Sequence, residues 1–115
     1  MKQRIVGAFL ADRSAATQAA EFAASLPEDY EWRRVIEQWV ASDAPYLIAV
    51  DLPGKILVGT PEDLTDLRAM VDLAREEDRG AQLQLKVMCS EVTAAAVLEV
   101  PGLAVVNWMK PPTRH

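Results

Sequence analysis

Chemistry in a short chain needs a nucleophile, a base or a ligand set at a workable spacing, and few residues here qualify. Cys89 stands where an alternating stretch, "QLQLKVM", gives way to a helix start at Ser90. A thiol at such a junction can be acidified by the helix dipole and become nucleophilic. A phosphatase-type loop would need an arginine further along, yet "CSEVTAAAV" offers alanine there. With no second cysteine and no internal histidine, Cys89 is expected to be an inert, partly buried thiol. His115, the single histidine, closes a proline-containing tail, so neither a Ser-His-Asp arrangement nor a histidine metal site can form in an ordered core.

Other candidates are polar pairs. Gln18 and Glu21 lie at i and i+3 on an alanine-rich segment, so both could reach a cleft above the end of the first strand; the plainer alternative is a solvated face. Glu62, Asp63, Asp66, Glu76, Glu77 and Asp78 fall at helix ends or on an exposed face, where the helix dipole and solubility explain them without acid–base chemistry. The glycines are scattered and form neither a dinucleotide fingerprint nor a phosphate loop. No cofactor or metal is expected.

These residues are positioned by elements in the order β, α, α, β, β, α, β, α, β. "KQRIVGAFL" is a first strand. An alanine-rich helix, roughly 14–26, carries Ala15, Ala19, Phe22 and Leu26 on one stripe and Ser14, Gln18, Glu21 and Ser25 on another. Trp32, Val35, Ile36, Trp39 and Val40 mark a second helix starting just after Pro27. "YLIAVDL" and "KILVG" flank Pro53-Gly54 as a hairpin. Thr60 then serves as an N-cap with Pro61 in the first helical position, and the helix runs through Leu64, Leu67, Met70, Val71 and Ala74 to a stop at Gly80. In "QLQLKVM", Leu83, Leu85 and Val87 share a buried face, with Gln82, Gln84 and Lys86 on a wetter one. Ser90 caps a short helix, Pro101-Gly102 turns the chain, and "LAVVNWM" is the last strand.

The fold class is therefore α/β: one compact domain over 1–110, a mixed or mainly parallel sheet of four or five strands with three or four helices, and a loose tail at 111–115. Leu57, Leu67, Val71, Leu85 and Val105 are the expected core. The net charge of −5 argues against a general nucleic-acid binder, which usually carries a basic stripe. Lys2 and Arg4 ahead of an apolar run imitate a signal peptide, but Asp12 and Arg13 break the run, and a strand explains it better. No apolar segment reaches the ~18 residues of a membrane span. A cytoplasmic protein without membrane contact is expected, forming a homodimer through the face of Trp32 and Trp39 and an apolar strand pair.

The whole-chain phrasing resembles the type II peptidyl-tRNA hydrolase fold. "MKQRIV" is similar to that family's opening strand, "AATQAAEFAA" to its glutamine- and alanine-rich first helix, "KILVGTPEDLTDL" to its second strand entering a capped helix, and "VPGLAVVNW" to its closing turn and strand. The resemblance implies a site bordered by the first helix and the loop after the third strand. On this chain the family's Gly-Lys pair falls on Arg13 and Ser14, its histidine on Glu21, and its loop threonine on Thr93; the loop's acidic residue, glycine and glutamine have no counterpart in "CSEVTAAAVLE". Arg13, Gln18, Glu21 and Thr93 are thus the candidate cleft. The resemblance implies a binding or interaction module whose ancestral site is lost or rebuilt. The alternatives are a divergent hydrolase of peptidyl- or aminoacyl-tRNA, the one reading in which tRNA is a partner, and a regulatory subunit acting on a protein partner.

Overall fold

The computed structural model describes residues 4–52, 54–77, 81–98 and 103–109. Its elements follow the expected order: β1 (Arg4–Asp12), a 3-10 turn (Arg13–Ala15), α1 (Ala16–Ser25), α2 (Glu31–Val40), β2 (Tyr46–Leu52), β3 (Lys55–Gly59), α3 (Leu64–Glu77), β4 (Ala81–Met88), α4 (Glu91–Leu98) and β5 (Leu103–Met109). They form one mixed five-stranded sheet in the order β3-β2-β1-β4-β5. β1 and β4 run parallel, as do β4 and β5, while β2 is antiparallel to both β1 and β3. No helix of the described residues is long and apolar enough to cross a membrane.

Strand alternation divides the core between the two faces of the sheet. Val6, Ala8 and Leu10 of β1 point into one cluster with Leu85 and Val87, roofed by Leu67, Val71 and Ala74 of α3 and by Ala94 and Val97 of α4. Phe9 and Ala11 point the other way, against Ala15, Ala19 and Ala23 and against Trp32, Ile36 and Trp39 of α2. The alanines let α1 sit close to the strands, and Phe22 fills the gap by stacking on Phe9 at 5.5 Å between ring centroids. On the wetter face of β4, Lys86 Nζ lies 4.2 Å from the Phe22 ring centroid.

The β2–β3 hairpin closes as expected, with Leu52 opposite Lys55 and Gly54 at φ +78, a backbone region that favours glycine. At the other end of β3, a Cβ on Gly59 would collide with the Met70 side chain, so α3 packs directly over this glycine.

Four expectations need correction. The α3 cap is Asp63 and not Thr60: Asp63 Oδ1 accepts from the Asp66 N–H at 2.8 Å, and the helix begins at Leu64. α2 starts at Glu31, because the chain first turns with the Tyr30 N–H donating to Pro27 C=O. Trp32 and Trp39 are 9 % and 2 % exposed, so α2 spends its aromatic face on this chain's own sheet and that face is closed to a partner. Leu67, Val71 and Leu85 are buried as expected, but Leu57 is half-buried because β3 is an edge strand. Val105, the stops at Gly80 and Pro101-Gly102, and the tail at 111–115 lie outside the residues whose side chains are described.

Candidate functional site

β1 and β4 are parallel neighbours, yet the chain leaves them on opposite faces: from β1 into α1, and from β4 into α4. In open α/β sheets such a divergence leaves a crevice beyond the carboxyl ends of the strands. A crevice of about 240 Å³ lies there, lined by Asp12 at the end of β1 and Arg13 and Ser14 just beyond it, Ser90, Val92 and Thr93 after β4, and Pro45 and Tyr46 at the start of β2.

Asp12 is its centre. It falls in step with Val6, Ala8 and Leu10, so its side chain emerges on the face where α4 begins. Oδ1 accepts from the Ser14 N–H at 3.1 Å and from the Ser14 hydroxyl. Oδ2 accepts from the Ser90 N–H at 3.0 Å, the Ser90 hydroxyl at 3.0 Å and the Thr93 hydroxyl at 2.7 Å. A carboxylate offers about four lone-pair sites, and these donors use them all. Burial alone would push the Asp12 carboxyl up, but the hydroxyl of Ser14, the N–H of Ser90 and the hydroxyls of Thr93 and Ser90 together hold it below its ordinary value of 3.8. The carboxylate also sits at the positive end of α4, filling with the protein's own charge the place where a helix N-terminus would otherwise attract an anion.

Arg13 borders the crevice, but its guanidinium is committed elsewhere. Nε donates to Ala44 C=O at 3.1 Å, Nη1 to Val40 C=O at 3.3 Å, and Nη2 to Trp39 C=O at 3.0 Å and to Ala44 C=O. Its carbon lies 4.2 Å from the Trp39 ring centroid. These carbonyls lie at the C-terminal end of α2 and in the loop that follows, the negative end of the helix dipole, which a cation suits.

Of the four candidate cleft residues, the structure brings Arg13 and Thr93 to one crevice and leaves Gln18 and Glu21 out of its lining. α1 packs on the Phe9 face of the sheet and α4 on the Leu85 face, so the shared pocket expected of Gln18 and Thr93 is not formed. Glu21 is exposed, and Gln18 is half-buried beside the alanine stripe with its Oε1 lacking a hydrogen-bond partner among the described residues. Cys89 is fully buried, more than expected, in the α3/α4 core; burial first, and the Asp12 charge second, push its thiol up to about 12.

The residue that sequence reasoning missed is Asp12, together with the clasp role of Ser90. Strand parity held the signal: continuing the Val6-Ala8-Leu10 face by two more residues places a carboxylate above the start of a helix that carries Ser90 and Thr93. Compared with known proteins, the chain matches no family model, no curated protein and no solved structure.

Proposed function

We propose that the chain is a small binding or interaction module, working in the cytoplasm, in which the polar cluster where the likeness to type II peptidyl-tRNA hydrolases pointed to a reaction site is instead a structural clasp. The observation that carries this reading is the saturation of Asp12 by Ser14, Ser90 and Thr93. Hydrolysis of a peptidyl-tRNA ester needs a base or positioned polar groups for water, and a cation for the RNA phosphate. Asp12 is a poor base, because every donor around it stabilises the ionised form. The Thr93 hydroxyl donates its hydrogen bond to that carboxylate, and Arg13 gives its donors to the carbonyls at the end of α2 and in the loop after it. A phosphate approaching α4 would meet a carboxylate already in place.

The test is incubation of the purified chain with an N-acylated aminoacyl-tRNA. The reading expects ester loss no faster than without protein and no retardation of the tRNA on a native gel. Turnover that disappears in Thr93→Val would overturn it in favour of the divergent hydrolase.

A further inference from the structure

Gly59 ends β3 opposite Ile48 of β2. A Cβ added there would fall on Cε and Sδ of Met70 and lie 3.4 Å from Ile48 Cγ2. The thioether of Met70 therefore fills the slot that the glycine leaves open, beside an aliphatic side chain, and this contact helps hold α3 against the edge of the sheet. Met70 also borders a crevice of about 360 Å³ with Thr60, Pro61, Asp66, Ala69 and Leu73. Of the two methionines whose side chains are described, Met88 is fully buried and Met70 is half-buried. A thioether at such a border is within reach of a peroxide, and oxidation turns a flexible apolar group into a polar one.

We propose that Met70 is a site of reversible oxidation by a peroxide, and that its sulfoxide loosens α3 from the edge strand β3. The sulfur lone pair attacks one peroxide oxygen, and an S–O bond forms as the O–O bond breaks. The second oxygen leaves as water, taking the proton of the first; sulfur is oxidised and the peroxide reduced by one electron pair. Kept in the slot, the new oxygen would lie unsolvated beside the Ile48 methyl, which carries a desolvation cost. Turned out into the crevice, it meets water and the Thr60 hydroxyl as donors. The outward turn leaves the slot at Gly59 empty, and α3 loses that packing contact with β3. This crevice shares no lining residue with the one at Asp12, so the proposal and the clasp reading stand or fall separately.

The experiment treats the folded full chain with hydrogen peroxide and follows oxygen uptake by peptide mass mapping and stability by thermal melting. Met70 should gain an oxygen ~10-fold or more faster than Met88. The oxidised chain should melt ~4 °C or more lower, and methionine sulfoxide reductases acting on both epimers should restore the original melting temperature. Met70→Leu, a change of similar volume, should fold and keep its melting temperature under peroxide. Gly59→Ala fills the slot from the strand side, so it should drive the Met70 thioether outward and speed its oxidation. If that variant does not fold, the wild type and Met70→Leu carry the test. Met70 oxidised no faster than Met88, an oxidised chain that melts like the untreated one, an equal loss in Met70→Leu, or a folded Gly59→Ala chain oxidised no faster than wild type would each overturn the proposal.

Discussion

The Thr93 hydroxyl donates to the Asp12 carboxylate at 2.7 Å although 81 positions separate the two residues. The bond ties the start of α4 to the end of β1, across the point where the chain leaves neighbouring strands for opposite faces. Thr93 is 2 % exposed, so water does not replace the bond once it is lost. Thr93→Val, which keeps the shape and removes the donor, should therefore cost about 1.5–3 kcal/mol, the range for hydrogen bonds to a charged group. Thr93→Ser should recover much of that loss. Urea denaturation of the variants checks both.

Acid should loosen the same clasp. The folded-state value of the Asp12 carboxyl lies below the ordinary 3.8, so its contribution is complete above that value and is lost as pH falls through it toward the folded-state value. In Asp12→Asn this component is missing. The difference in melting temperature between the wild type and Asp12→Asn should be largest near neutrality and shrink below pH ~4. A difference that grows on acidification would mean the carboxyl is held protonated in the fold.

Arg13 separates a structural role from an electrostatic one. A cation kept for phosphate would tolerate lysine, which preserves the charge. A guanidinium that reaches the carbonyls of Trp39, Val40 and Ala44 while lying over the Trp39 ring uses its planar fork, which lysine lacks. Arg13→Lys is expected to destabilise the chain by roughly 1–3 kcal/mol. Thermal melting that finds the two proteins equal would contradict this assignment.

Cys89 should behave as a core residue. Its thiol is fully buried, and that burial pushes it up to about 12, so a thiol-reactive disulfide reagent at neutral pH should label it only as fast as the protein unfolds. Because the folded-state value is raised above the ordinary 9.0, stability should be intact below that pH and decline as pH rises toward about 12. Rapid labelling without denaturant would show a thiolate accessible in the native state.

The order of elements was legible because each one announces itself locally. Alternation marks β4, a two-residue Pro-Gly loop marks the hairpin, and the spacing of Trp32, Ile36 and Trp39 marks α2. Boundaries that depend on competing caps were not: Thr60, Pro61 and Asp63 all suit a helix start, and only the bond to the Asp66 N–H selects Asp63. The candidate cleft was half legible. Arg13 directly follows β1 and Thr93 sits in the first turn of the helix after β4, so both reach the crevice, whereas Gln18 and Glu21 depend on which face of the sheet receives α1, and helix periodicity does not encode that. Asp12 was hidden by its position at the end of an apolar run, where a charge reads as a simple terminator.

The account rests on Asp12 being a fully hydrogen-bonded structural carboxylate, and titration of its side-chain carboxyl carbon by NMR tests that most directly. The predicted result is a midpoint below the ordinary 3.8, rising in Thr93→Val as one donor is withdrawn. A midpoint well above 3.8, toward neutrality, would describe a carboxyl poised for acid–base work and would contradict the account.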